Sequence, residues 1–224
     1  GHGNTATDSH TTLPAIFSTE SELNNLEMVP FREAINAGVK MMMIGHIALP
    51  KIDPSGDPSS HSFSITTKLL RNKLGFDGLI ITDGMEMGAL AASAWSGESA
   101  IRAVEAGADI LLLPMDVEHA INSLLEAVNT GRISEKRINE SVQRIWDIKL
   151  EKRILQDPQL SFSELEKVIG REEHKKIARQ IAKKSITVVK DHNSQIPLIV
   201  EDIDSLAHIV ISLDDGARNY LKYF

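Results

Sequence analysis

The first ten residues form a polar, glycine-rich segment that carries one aspartate and two histidines. Asp8 and His10 are two positions apart, and side chains at i and i+2 of an extended segment project to the same side. A carboxylate beside an imidazole fixes its tautomer and raises its basicity, which creates a proton shuttle that works near neutral pH. The spacing therefore predicts an acid/base pair, and the alternative is a solvated loop. A metal site at His2, Asp8 and His10 is not expected, because nothing completes the ligand set.

Two more candidates follow apolar runs. Asp83 comes directly after residues 79–82, where an apolar run reaches a polar tip. A carboxylate at the end of a strand can act as a nucleophile or a general base; alternatively, it caps the next helix or lies in a solvated loop. His46 follows the apolar residues 41–44 in the same way. It either contacts a ligand at the same rim, or it is a histidine at the edge of the core whose hydrogen bonds are made within the protein.

The elements that must position these residues alternate between apolar strands and amphipathic helices. Strands are predicted around residues 41–44, 79–82 and 109–113, and a helix with Asp116 as its N-cap and Gly131 as its stop follows the third strand. Continuous apolar strands joined by helices indicate a parallel sheet that is buried on both faces. Active sites of such sheets lie at the carboxyl ends of the strands. We therefore expect the opening segment, His46 and Asp83 to meet at one rim.

Beyond residue 130 the charge pattern and the elements change. Most of the acidic excess lies before this point, and from Ser134 onward the sequence predicts one long helix with a stripe of Ile138, Val142, Ile145 and Ile148. A basic helix over 171–184 follows, and then strands at 186–191 and 206–215 with a turn around Asn193. Ile177 and Ile181 give the basic helix an apolar stripe, so its lysines are expected to form a solvated face.

Composition limits the classes of partner and compartment. The 224 residues are 42% hydrophobic and carry a net charge of −7, which disfavours nucleic acid as a partner. The absence of cysteine excludes disulfides and thiolate metal sites. No apolar run reaches the roughly 18 residues of a membrane span, and no signal-peptide pattern is visible. The compartment stays open between bacterial cytoplasm and periplasm, because a targeting segment could precede residue 1.

Two motifs together resemble glycoside hydrolase family 3, most closely its β-N-acetylglucosaminidase branch. The first is Gly-His-Gly at the start, four further residues, and then Asp8, Ser9 and His10; the second is GFDGLIITDGMEMGAL at residues 75–90. Residues 41–50 and 108–121 are similar to later strands of the family's barrel. Residues 132–155 look like the helix that leaves it, and residues 178–198 like the opening of the next domain.

The resemblance implies a fold and an activity. The fold would be α/β, with the C-terminal part of a TIM (β/α)8 barrel over 1–155, a linker over 156–170 and the start of an α/β-sandwich domain over 171–224. The activity would be that of a retaining glycosidase which removes terminal β-linked N-acetylglucosamine through a covalent glycosyl-enzyme. Asp83 would be the nucleophile and His10, with Asp8, the acid/base. His2 and His46 would contact the sugar, and no cofactor would be needed.

The partner implied is an N-acetylglucosamine-containing glycan or a muropeptide. The alternatives are a β-glucosidase-type family 3 enzyme, a non-catalytic carbohydrate-binding relative, or a scaffold that uses the basic helix. The presence of Asp8, His10 and Asp83 argues against the binding-only relative. We expect the chain to be a central part of a longer protein. The chain itself would lack about the first five of eight barrel strands. The missing N-terminal segment, or another copy, should then cover the open sheet edges, and the isolated chain should be inactive.

Overall fold

The computed structural model of the chain describes residues 2–91, 96–154, 161–192 and 196. The chain divides into two units, Gly1–Pro158 and Gln159–Phe224. The elements of the first unit are, in chain order, α1 (Glu20–Asn25), α2 (Val29–Asn36), β1 (Met41–Ile44), a 3₁₀ helix (Ser59–His61), a π-helical segment (Ser64–Lys73), β2 (Leu79–Gly84), α3 (Gly88–Ala91), α4 (Ser96–Ala106), β3 (Ile110–Leu112), α5 (Val117–Asn129) and α6 (Glu135–Glu151).

The three strands form one parallel sheet in the order β1-β2-β3, as the apolar runs predict. Met41 pairs with Leu79 and Ile44 with Thr82, while β3 joins β2 through Ile81 opposite Ile110. Because the strands are parallel, their carboxyl ends share one edge of the sheet. Asp83 lies in β2 at that edge, and His46 follows β1 there.

The centre of the core is β2, which is flanked on both sides. Ile80 and Thr82 are completely buried, and Ile80 packs in a cluster with Met42, Phe76 and Leu90. Helix α5 is capped by Asp116, whose side chain accepts the backbone N–H of His119, and Gly131 takes a positive φ beyond its end. Both predictions for this helix are confirmed.

Strand β1 differs from the prediction of a strand buried on both faces. Met41 is 43% exposed and Met43 51% exposed, whereas Met42 is buried. Successive side chains of a strand alternate between its two faces, so Met41 and Met43 lie on the face opposite Met42. Among the described residues, β1 is also at the edge of the sheet, with β2 on one side only. One of its faces therefore packs on the core, and the other has no covering element within the described part of the chain.

A buried carboxylate joins the sheet to two helices. The side chain of Asp109, just before β3, is completely buried and pairs with Arg71 of the π-helical segment. Arg144 of α6 donates to Asp109 Oδ1 at 3.0 Å, and the Ser141 hydroxyl donates to the same oxygen at 2.6 Å. The backbone N–H of Ile80 donates to Oδ2 at 3.0 Å. This cluster fixes the helices at the amino-terminal ends of β2 and β3.

The cluster also explains which face of α6 is buried. Arg137 donates to the Ala108 carbonyl at 2.7 Å and to the Ser141 hydroxyl at 2.6 Å. Ser141 is therefore buried, while Val142, which the predicted apolar stripe includes, is more than half exposed. The prediction of an apolar stripe is therefore only partly correct, because polar contacts to Asp109 determine which face of this helix points toward the core.

The second unit departs from the sequence prediction in two places. Within the segment predicted as a linker, Phe162–Val168 forms a helix, α7, which contains an i,i+3 ion pair between Glu164 and Lys167. The predicted basic helix is present as α8 (Glu172–Ser185). Residues 186–191 form no strand, because no partner strand lies among the described residues and Ile186 and Val189 remain exposed. The predicted turn at Asn193 and the strand at 206–215 lie outside the described residues.

We predict that Asp109→Asn lowers the free energy of unfolding by about 3–5 kcal/mol, because it leaves buried arginines without their counter-charge. The loss can be measured by denaturant unfolding. The matched control is Asp77→Asn, a change at an exposed carboxylate, which should alter stability by less than about 0.5 kcal/mol. Equal stability of the two variants would contradict the assignment.

A second prediction concerns His61, which is buried and bonded through Nε2 to the Ser99 hydroxyl at 2.9 Å. Burial, helped by the nearby Arg102 guanidinium, lowers the pKa of His61 to about 4. As the pH falls below about 6.5, the unfolded chain binds this proton before the folded chain does. The free energy of unfolding should therefore fall by up to about 3 kcal/mol between about pH 6.5 and about pH 4.

His61→Gln should flatten this pH dependence when unfolding is measured by denaturant titration across that window. His174→Gln, a change at an exposed histidine of α8, should leave the slope as it is in the wild type. An unchanged slope in His61→Gln would show that other groups cause the acid destabilisation.

Candidate active site

The opening segment lies against the residues that follow β2. The backbone N–H of Ala89 donates to the Ser9 carbonyl at 3.1 Å, and that of Gly88 donates to the His10 carbonyl at 3.2 Å. The segment that carries Asp8 and His10 is therefore fixed to the start of α3, five residues beyond Asp83. The opening segment thus meets the residues that follow β2, and the approach of the His10 side chain to Asp83 stays a prediction.

Asp8 and His10 make the contact that their spacing predicts. Asp8 Oδ1 lies 2.8 Å from His10 Nδ1, and it also accepts the backbone N–H of His10 at 3.0 Å. These two hydrogen bonds, the backbone one first, lower the pKa of Asp8 below its ordinary value. Because a carboxylate only accepts hydrogen bonds, Nδ1 carries the proton in this pair and Nε2 is the nitrogen left for proton exchange.

A tight turn holds this pair at the surface. The Asp8 carbonyl accepts the backbone N–H of Thr11 at 3.1 Å and that of Thr12 at 3.2 Å. The side chains of His10 and Asp8 are 73% and 61% exposed, but Ser9 between them is completely buried. The Ser9 hydroxyl lies 2.7 Å from His2 Nε2. His2, predicted as a sugar contact, thus has an exposed ring that touches the buried anchor of the loop.

Asp83 is the penultimate residue of β2 and its side chain is half-buried. Its Oδ1 accepts the backbone N–H of Gly84 at 2.8 Å. This contact lies within the strand, unlike the helix cap that the alternative predicts. The carboxylate is therefore held at the end of a strand whose preceding residue, Thr82, is fully buried.

His46 is placed differently from the prediction of a sugar contact. It is completely buried, with Nδ1 at 2.7 Å from the Ser60 hydroxyl and Nε2 at 3.0 Å from the Gly84 carbonyl. A carbonyl only accepts, so Nε2 carries the proton and Nδ1 accepts from Ser60. Burial lowers the pKa of His46 although Gly84 and Asp83 favour its charged form. This geometry agrees with the alternative, a histidine at the edge of the core whose two ring nitrogens are hydrogen-bonded within the protein. Through Gly84, the ring also holds the end of the strand that carries Asp83.

Sequence reasoning missed the residues that support these side chains. Ser60 was predicted only as part of a loop, and its distance of 14 positions from His46 gives no pattern to read. Ser9 is part of the motif that contains Asp8 and His10, but its burial depends on packing against residues such as Ala89, which is 80 positions away in the sequence. Among the described residues, no three His, Asp or Glu side chains converge on a metal position, and no helix is long and apolar enough to cross a membrane.

Most of the chain matches the model of a known protein family. Residues 1–148 match the N-terminal domain of glycosyl hydrolase family 3. The chain is 28% identical to β-hexosaminidase A of Pseudoalteromonas piscicida, over 99% of this chain and 41% of that protein. It is 30% identical to a β-N-acetylglucosaminidase/β-glucosidase of Cellulomonas fimi, over 77% of this chain and 32% of that protein.

A solved structure supports the same assignment. The glycoside hydrolase family 3 β-N-acetylglucosaminidase of Paenibacillus sp. str. FPU-7 superposes with a TM-score of 0.73 and 36% identity, over 86% of this chain and 37% of that one. The chain thus spans less than half the length of these relatives. Its parallel strands and their helices are part of a TIM-barrel-type fold. The chain belongs to glycoside hydrolase family 3.

Proposed function

We propose that this chain carries the catalytic residues of a retaining glycoside hydrolase that removes terminal β-linked N-acetylglucosamine. The observation that carries the proposal is the position of the Asp8–His10 pair, which is fixed by backbone hydrogen bonds beside the strand of Asp83. A carboxylate at a strand end and a proton shuttle beside it are the two groups that a double displacement at an anomeric carbon requires. The substrate class comes from the relatives, whose names specify N-acetylglucosamine or hexosamine.

In the first step, an oxygen of the Asp83 carboxylate attacks the anomeric carbon while the bond to the leaving oxygen breaks. Protonated His10 gives its Nε2 proton to that oxygen, so the aglycone leaves as a neutral alcohol. The product is an ester between the sugar and Asp83. The half-buried position of Asp83 suits this role, because a partly desolvated carboxylate on a rigid strand keeps its orientation.

In the second step, neutral His10 takes a proton from water through Nε2 as the water oxygen attacks the anomeric carbon. The bond to Asp83 breaks, which restores both the carboxylate and the protonated histidine. Asp8 holds the Nδ1 proton throughout and stabilises the imidazolium that the second step leaves behind. Most retaining glycosidases use a second carboxylate for these transfers, whereas here the Asp8–His10 pair takes its place.

We further propose that the active protein extends beyond this chain. The exposed methionines of β1 belong to an edge strand, and parallel strands of this type are normally covered on both faces. Additional barrel strands, an N-terminal segment or another copy would cover that edge and supply contacts to the sugar. His2 stays a predicted sugar contact from this chain. The following experiments therefore use the full-length protein.

We predict that the full-length protein hydrolyses an aryl β-N-acetylglucosaminide faster than the matching aryl β-glucoside. Asp83→Asn should remove nearly all of this turnover, since the amide is a poor nucleophile. It should also abolish covalent labelling by a fluorinated sugar, measured by mass spectrometry of the intact protein. Asp77→Asn, at an exposed carboxylate six residues before Asp83, is the control and should label normally. Labelling that persists in Asp83→Asn would refute the nucleophile, and a preference for the glucoside would favour the β-glucosidase alternative.

We predict that His10→Ala slows substrates with poor leaving groups by about 10²–10⁴-fold, because they need the proton in the transition state. Activated aryl glycosides need little protonation, so their glycosylation step should change far less. Asp8→Ala should have the same selectivity with a smaller loss. The measurement is kcat/KM across a series of aglycones of increasing pKa. The control is His174→Ala, and equal losses on all aglycones in His10→Ala would indicate a structural role.

A further inference from the structure

The loop that carries His10 approaches α3 more closely than side chains allow. A Cβ atom placed on Gly88 would lie 2.5 Å from the His10 carbonyl oxygen and 3.0 Å from that of Thr11. Both of these atoms belong to the backbone and cannot rotate away. Only glycine at position 88 therefore permits the hydrogen bond from its own N–H to His10, and any other residue must displace the loop.

The contact is anchored on both sides. On the loop side, Ser9 is completely buried, and its carbonyl accepts the N–H of Ala89, which is itself 2% exposed. On the other side, the turn before Gly88 is bonded to the sheet, because the Met85 N–H donates to the Leu112 carbonyl at 2.9 Å and the Met87 N–H to the Gly84 carbonyl at 3.1 Å. A continuous run of backbone hydrogen bonds thus connects the strand of Asp83 to His10.

We propose that Gly88 is a positioning residue for His10, and that the docking of Ser9 and His10 on Gly88 and Ala89 sets the position of the acid/base relative to Asp83. This inference rests on the proposed function and deepens it. The His10 ring is exposed and has Asp8 as its described side-chain partner, so the backbone contact is what ties its position to the sheet. Proton transfer needs hydrogen-bond distance to the leaving oxygen, and a displacement of about 1 Å can cost about 10²-fold in rate.

A purely structural role for Gly88 makes a different prediction. Loss of packing would lower stability and reduce the amount of active protein, which reduces activity equally on every substrate. Displacement of the loop instead removes the proton and leaves the nucleophile in place, so the loss depends on the leaving group. Alanine also favours helices more than glycine does, so helix propensity cannot account for a loss in Gly88→Ala.

The test compares wild type, Gly88→Ala, His10→Ala and the double variant of the full-length protein over the aglycone series. Gly88→Ala should lose about 10²-fold in kcat/KM on poor leaving groups and label with an activated fluorinated sugar at close to the wild-type rate. In the His10→Ala background, Gly88→Ala should cause no further loss, because the two changes act through one group. The control Gly97→Ala introduces a Cβ that meets the Ser123 side chain between α4 and α5, and it should show no leaving-group dependence.

Ala89→Pro provides a second variant in case Gly88→Ala folds poorly. It removes the backbone N–H that donates to the Ser9 carbonyl, and proline is tolerated in the first turn of a helix. It should give a loss with the same selectivity for poor leaving groups. If His10→Ala itself shows no leaving-group dependence, the proposed function fails. If His10→Ala shows this dependence, three results would each overturn the inference: equal losses on all aglycones in Gly88→Ala, additive losses in the double variant, or wild-type selectivity in both Gly88→Ala and Ala89→Pro.

Discussion

The arrangement of the first unit depends on the burial of one carboxylate, Asp109. An isolated charge in the core is prohibitively unfavourable, so this side chain can be buried only when its arginine, serine and backbone donors are all in place. Those donors come from β2, from the π-helical segment and from α6. The requirement therefore fixes helices that are distant in sequence against the amino-terminal ends of the strands. The opposite ends of the same strands remain available for polar side chains that face outward.

The carboxyl end of β2 is held by a second, neutral set of contacts. His46 donates to the Gly84 carbonyl, and its buried, uncharged ring needs no counter-ion. Asp83 lies three residues along the strand from Ile80, or about 10 Å at the usual rise per residue. The charged cluster and the proposed nucleophile are thus separated by one short stretch of strand, in which Ile80 and Thr82 are completely buried.

The sequence predicts the elements well where apolar runs and caps are local signals. The strands, the Asp116 cap and the Asp8–His10 contact all depend on residues within a few positions of each other. Where the outcome depends on distant partners, the sequence left alternatives open or was wrong. Nothing near His46 decides that it turns inward toward Ser60, and nothing near Met41 indicates that only one face of β1 is covered. The strand predicted at 186–191 has the right residues, but a strand needs a neighbour to pair with.

The two proposed catalytic groups make opposite demands on the fold, and the structure meets them with different elements. A nucleophile that forms a covalent bond must stay in one orientation, and Asp83 is half-buried at the end of a packed strand. An acid/base must exchange its proton with the leaving group and then with water, so His10 has to remain accessible. A loop provides this access but not a fixed position. The buried Ser9 resolves the conflict, because it anchors the backbone between two exposed side chains and lets a solvent-accessible pair keep a defined distance from the sheet.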